Sequence, residues 1–265
     1  MESMWFAYGF LFIFGTIIGS FLNAALFRFN TGRTLSGRSS CVSCGETLSP
    51  RDLVPLLSFL FLRGRCRSCK SRISPQYPLV EFAAGILATQ CYRLFPDDAL
   101  FFTLSFLSWM VLLFIMVYDM RHKIIPDFFS ILLGAIVLCG IFISGNITGG
   151  AILAGPLLAL PFFIIHFVSR GRAMGLGDGK LMLGVGWLLG LSQGFVALLL
   201  TVWIGGALGL ALLFLPLNSE GRRLTMKSEI PYAPFLIMGA AIAYFTNVAP
   251  FLLEALFPAG LESWF

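Results

Sequence analysis

Apolar residues along this chain come in long runs, with polar positions gathered between them. Runs near 5–27, 78–95, 99–118, 127–145, 147–168, 179–190, 192–216 and 232–248 are almost free of charge. A bilayer core takes about 20 apolar residues per helix, so the pattern predicts eight transmembrane helices, the sixth being the shortest. The polar positions fall mainly in 28–77, 119–126, 169–180 and 217–231. The expected fold is an all-α polytopic membrane protein with one polar insertion, 29–77, long enough to fold on its own.

Composition excludes a soluble globular domain. Hydrophobic residues make up 58% of the 265, charged residues 12%, and the mean hydropathy is +0.89. Of the 18 Lys and Arg residues, all but Arg93 lie in those four polar segments. Short loops rich in Lys and Arg stay on the cytoplasmic side, which puts the N-terminus outside and the four segments inside. The net charge of +5 then reports topology and contact with anionic membrane lipids, and requires no nucleic acid.

The domain organisation expected is a first transmembrane helix (1–28), a cytoplasmic loop domain (29–77), a seven-helix membrane core (78–248) and an apolar tail (249–265) at the outer interface. Met1-Glu2-Ser3 before the first run and Arg28 after it reverse the charge order of a secretory signal, so the run reads as a retained anchor. Gly15 and Gly19 give it a small-xxx-small face for helix packing, and Asn23 is a polar group near its cytoplasmic end.

The loop carries four of the six cysteines, as Cys41-Val-Ser-Cys44 and Cys66-Arg-Ser-Cys69. Two CxxC pairs at this spacing suit a structural zinc site of four thiolates. The metal would supply folding energy that so short a polar segment cannot draw from a core. Disulfides or unrelated thiols are the alternative, and a cytoplasmic location weighs against the first. Arg65, Arg67, Lys70 and Arg72 would favour thiolates and anionic head groups. Cys91 and Cys139 lie inside apolar runs and read as packing residues.

Two aspartates carry the candidate chemistry. Asp119 ends the third run and Asp178 lies in Gly175-Leu-Gly177-Asp178-Gly179-Lys180 before the sixth. Carboxylates at such a depth are functional candidates. If they approach one another they share a proton, and one activates water while the other polarises a carbonyl. The glycines leave room for an extended substrate. A helix-capping role for Asp178 is the alternative. Asp127, after Pro126, reads as a helix-start carboxylate, His122 as part of a solvated loop, and His166 as a packed or interfacial residue.

Taken together, Gly19-Ser-Phe-Leu-Asn23 through Arg28, the paired CxxC loop, Leu62-Arg-Gly-Arg-Cys66, Tyr77-Pro-Leu-Val-Glu81, the Asp119 segment through Asp127, Gly175 to Lys180 and Pro231-Tyr-Ala-Pro-Phe235 make the chain resemble bacterial type IV prepilin peptidases. These are GxGD-type membrane aspartic peptidases, many of which also act as N-methyltransferases.

The resemblance implies eight helices in the bacterial inner membrane and cleavage of the basic leader from prepilins and pseudopilins on the cytoplasmic face. It implies Asp119 and Asp178 as the catalytic pair, with Gly175, Gly177 and Lys180 as motif support. It further implies zinc on Cys41, Cys44, Cys66 and Cys69, and S-adenosyl-L-methionine as methyl donor. Glu81 matches a family glutamate with a methyl-transfer or docking role, an interfacial helix-start carboxylate being the alternative. Val42 and Tyr232-Ala233 depart from the family pattern. A peptidase without methyltransferase activity is the alternative within the family, and a proton or cation transporter, or a zinc-containing scaffold, are the competing classes.

Overall fold

The computed structural model describes residues 2–31, 37–145, 147–214, 231–246 and 248–256. Most of the 217–231 loop and the end of the predicted tail lie outside the described residues. Nine helices are described: α1 (Glu2–Arg28), α2 (Leu57–Phe61), α3 (Gln76–Leu94), α4 (Ala99–His122), α5 (Asp127–Ile143), α6 (Gly149–Ser169), α7 (Leu176–Phe214), α8 (Ala233–Phe245) and α9 (Val248–Leu256). Among the described residues there is no strand, only isolated bridges at Ser40–Thr47 and Arg65–Arg72.

Each of the eight apolar runs forms a helix, two of them joined in α7. That helix is interrupted at Gly190, whose φ of +73° and ψ of −178° are not helical and belong to a residue without a Cβ. Among the described residues, four helices suit a bilayer crossing by length and hydropathy: α1, α4, α6 and α7. The number becomes five if α8 and α9 form one bent span. The chain divides into two compact units, Met1–Phe114 and Ile115–Phe265, with the division inside α4.

In the first unit α1 packs on α3 through the small residues. A Cβ on Gly15 would lie 2.5 Å from the Ala84 carbonyl oxygen, and one on Gly19 would lie 2.8 Å from Ala84 Cβ. The two backbones approach because neither side carries bulk. Asn23, buried in α1, donates to the Tyr77 carbonyl at 3.1 Å and accepts from Gln76 at 3.3 Å. Cys91 is buried as expected and accepts from the Ser105 hydroxyl, whereas Cys139 is exposed on α5.

In the second unit α7 packs against α5, α6 and α8. Gly155 and Gly186 meet where a Cβ on Gly186 would lie 2.8 Å from Gly155 Cα. Pro156 and Pro161 sit inside α6. Proline has no N–H, so Pro156 leaves the Ile152 carbonyl without its i+4 donor. The indole N–H of Trp187, on α7, donates to that carbonyl at 2.7 Å.

Candidate active site

Asp119 lies in the last turn of α4 and is only 4% exposed. The helix ends at Lys123, whose amide bonds the Asp119 carbonyl and whose φ is +55°. Ile124-Ile125-Pro126 then leads into α5. Pro126 caps α5 and places Asp127 at its first helical position, where a carboxylate faces the positive end of the helix dipole.

Asp178 is the third residue of α7 and half-buried. Its carboxylate reaches back towards the Gly175 amide, the arrangement of an acidic residue at the third position of a helix. The capping geometry is therefore present. The same carboxylate also lies close enough to Asp119 for the charge of one to act on the other, so the two sequence-predicted aspartates share one site.

Three further contacts build that site. Ala233, the first residue of α8, donates its backbone N–H to Asp119 Oδ2 at 3.2 Å. The first amides of a helix have no intrahelical acceptor, which leaves this one available to the carboxylate. The neighbouring Tyr232 stands within electrostatic reach of Asp178, its ring edge-on to Phe162 at a centroid distance of 5.9 Å. Segment 231–233 thus borders both carboxylates. A contribution from a backbone amide leaves no side-chain signature, although Pro231 and Pro234 bracket the helix start in the sequence.

Gly177 and Lys180 bind the start of α7 to the turn that follows Asp119, while Gly179 packs it on α6. A Cβ on Gly177 would stand 3.0 Å from Ile125 Cβ, and one on Gly179 would stand 2.9 Å from the Phe163 ring. Lys180 Nζ pairs with Asp127 Oδ2 at 2.8 Å. Asp127 is thus a helix-start carboxylate, as read from sequence, and also an ion-pair partner. His166 bonds the Met174 carbonyl through Nδ1 at 2.9 Å, tying the end of α6 to the approach to Gly175. His122 stacks on Tyr118 at 4.3 Å. A cleft of about 510 Å³ lined by Val168, Ser169, Arg170, Arg172 and Ala173 opens beside that approach, and neither aspartate lines it.

The first unit holds the cysteine site. Cys41, Cys44, Cys66 and Cys69 present sulfur atoms that all lie within 4.8 Å of one another, and Cys41 and Cys69 are 3.9 Å apart. Four thiolates about 2.3 Å from a tetrahedral zinc would be roughly 3.8 Å apart, so this donor set fits the metal. Each CxxC forms the same knuckle. The Cys41 amide bonds the Glu46 carbonyl and the Gly45 amide bonds the Cys41 carbonyl; Cys66, Ser71 and Lys70 repeat the pattern. The amides of Cys44 and Ser43 draw the Cys41 thiol down to about 6, and the Ser71 hydroxyl and amide lower that of Cys69. Arg67 is engaged elsewhere, pairing with Asp52 at 2.7 Å and holding that carboxyl below its usual range.

Glu81 is buried near the start of α3, within the first unit. Its Oε2 accepts the Leu56 amide at 2.8 Å. Leu56 adopts φ +60°, ψ −51°, a sparsely populated region for a residue with a side chain.

Residues 13–95 match the bacterial peptidase A24 N-terminal domain, and residues 104–210 match the type IV leader peptidase family. The prepilin leader peptidase/N-methyltransferase of Bacillus subtilis (strain 168) is 33% identical over 243 residues, covering 88% of this chain and 92% of that protein. The protein of the same description from Aeromonas hydrophila is 28% identical, covering 90% of each chain. The type 4 prepilin-like proteins leader peptide-processing enzyme of Escherichia coli O78:H11 is 27% identical, covering 92% of this chain and 93% of its own. No solved structure matches.

Proposed function

Since the chain belongs to the type IV leader peptidase family, we propose that it is a membrane aspartic endopeptidase that removes the leader from prepilins and pseudopilins and N-methylates the new N-terminus. The observation that carries the peptidase reading is that Asp178 lies within reach of the charge of Asp119, whose carboxylate accepts the amide of Ala233. One carboxylate, ionised, takes a proton from water as the water oxygen attacks the scissile carbonyl. The other, protonated, donates to the carbonyl oxygen, and the peptide C–N bond then breaks as the leaving amine gains a proton. Gly177 and Lys180 support this pair through Ile125 and Asp127, and Gly175 through its amide.

The eight apolar runs cross the bacterial inner membrane, with the N-terminus outside and the aspartates facing the cytoplasm. This reading rests on the eight apolar runs and on the confinement of Lys and Arg to alternate connections. Residues 29–77 form a zinc-binding domain, and 78–248 the peptidase core. Cys41, Cys44, Cys66 and Cys69 hold zinc in a structural role, since a four-thiolate site leaves no open coordination position. S-adenosyl-L-methionine supplies the methyl group. Glu81 takes part in methyl transfer or substrate docking, and it also holds the cysteine loop against α3 through the Leu56 amide. The basic connections rest against anionic lipid.

The test is mass spectrometry of a synthetic prepilin incubated with the detergent-solubilised protein, with and without S-adenosyl-L-methionine. The wild type is expected to remove the leader and add one methyl group. Asp119→Asn and Asp178→Asn are each expected to lose cleavage by at least about 10³-fold. A folded wild type that leaves the substrate intact, or cleavage that survives both substitutions, overturns the reading.

A further inference from the structure

Leu53, Val54, Leu57, Leu60 and Phe61 project from the cysteine loop where a lobe surrounded by water would bury them, Leu60 being 70% and Phe61 81% exposed. They occupy one short stretch, from the end of the turn Pro50–Leu53 through helix α2. Contiguous apolar surface rimmed by polar residues marks an interaction site. Here the rim is basic: Arg51, Arg63 and Arg65 are all exposed.

The bond between Glu81 and Leu56 fixes where this edge sits. Glu81 is five residues into α3, about 7.5 Å along its axis at 1.5 Å per residue. Leu56, the residue before α2, is held to it at 2.8 Å in a strained conformation. Helix α2 therefore starts beside the first turns of α3. Strain of this kind persists only where surrounding contacts enforce it, and here a buried carboxylate supplies the contact.

We propose that residues 53–61 form a wedge that seats the cysteine lobe on the membrane surface. Leu57, Leu60 and Phe61 enter the interfacial layer, and Arg51, Arg63 and Arg65 bind lipid phosphates. The occupant is an anionic leaflet. Guanidinium groups match phosphate oxygens in geometry and charge, and an apolar edge with a basic rim suits the headgroup boundary. A basic leader peptide would meet three like charges, and a second copy would set the same arginines against themselves. The proposal rests on the reading that α1 and α3 cross the bilayer.

The experiment places the photo-crosslinker p-benzoylphenylalanine at Phe61, or at Phe10 of α1, which is 70% exposed. The full chain is reconstituted in vesicles of phosphatidylglycerol and phosphatidylethanolamine, and adducts are identified by mass. Both positions are expected to capture lipid. The Phe61 adduct, but not the Phe10 adduct, should fall severalfold with Arg63→Gln and Arg65→Gln together, with Leu60→Asp, or in phosphatidylcholine vesicles. Lipid on Phe10 with protein or nothing on Phe61 overturns the wedge and leaves the membrane reading standing. Failure at Phe10 overturns both.

Discussion

Lys180 binds Asp127 at 2.8 Å, joining the start of the helix that carries Asp178 to the turn that follows Asp119. With Gly177 resting on Ile125, two contacts flank Asp178 and both end on the Asp119 side. The pair is partly exposed, Lys180 by 33% and Asp127 by 62%, so its contribution to stability should be under about 1 kcal/mol. Its contribution to rate should be larger, because small misplacements of reacting groups are costly.

Asp127→Asn and Lys180→Met are therefore expected to lower kcat by roughly 10- to 100-fold while leaving KM and the melting temperature nearly unchanged. The exchanged pair, Asp127→Lys with Lys180→Asp, should recover part of the loss. Steady-state cleavage of a synthetic prepilin checks this. Unchanged kcat in both single variants would show that the ion pair does not position the aspartates.

Much of this arrangement is legible in the sequence because it depends on residue type. Apolar runs mark the helices, Gly15 and Gly19 mark the contact with α3, and the CxxC spacing marks the sulfur cluster. Other parts depend on chain positions brought together only in the fold. The amide of Ala233 serves Asp119 without a side chain that could signal it. Asp127 reads as a helix-start carboxylate, and nothing local names Lys180 as its partner. Arg67 lies inside the second CxxC, where its charge would favour the thiolates. The fold instead gives it to Asp52, whose other oxygen accepts from the Ser49 hydroxyl at 2.7 Å. Local charge patterns predict the neighbourhood of a group better than its partner.

The bond from Trp187 to Ile152 is expected to matter because of Pro156. In an apolar surrounding, an unpaired carbonyl is expensive. Trp187→Phe should destabilise the protein by about 1–3 kcal/mol. In a Pro156→Ala background the cost should shrink, since an alanine at that position would supply the missing i+4 amide. A double-mutant cycle by reversible unfolding in mixed micelles measures the coupling. Purely additive effects would mean that the indole is not replacing the proline's absent donor.

The cysteine lobe should carry one zinc ion and lose it on acidification. The Cys41 thiol is drawn down to about 6 by the Cys44 and Ser43 amides, below its ordinary value of about 8.5. A depressed group contributes stability above its unfolded value and loses that contribution as pH falls through the folded one. Zinc retention against a fixed chelator concentration should therefore hold at pH 7 and fall on acidification, as protons compete with the metal for the four thiolates. Elemental analysis after chelation and desalting reads this directly. Cys66→Ser should release the metal at neutral pH. If zinc is absent at pH 7 from protein purified without chelator, the structural role is wrong.

The two knuckles repeat one backbone but not one residue. Gly45 follows Cys44 at φ +74°, and Lys70 follows Cys69 at φ +60°. At the first position glycine takes the left-handed conformation without a Cβ penalty, whereas at the second a lysine is held in it. Lys70→Gly should relieve that strain, while adding conformational freedom to the unfolded chain. A non-glycine residue in this region costs about 1–2 kcal/mol, and glycine's unfolded-state entropy offsets roughly 0.5–1 kcal/mol of the gain. A net increase of a few tenths to about 1 kcal/mol is expected in the lobe. Gly45→Ala should do the reverse, because alanine cannot reach φ +74° without strain. Amide exchange across residues 41–72 in the full-length protein with zinc present measures both. Slower exchange in Lys70→Gly and faster exchange in Gly45→Ala are the expected results. Equal exchange in both variants would mean that the metal, and not the turn conformation, sets the stability of the knuckles.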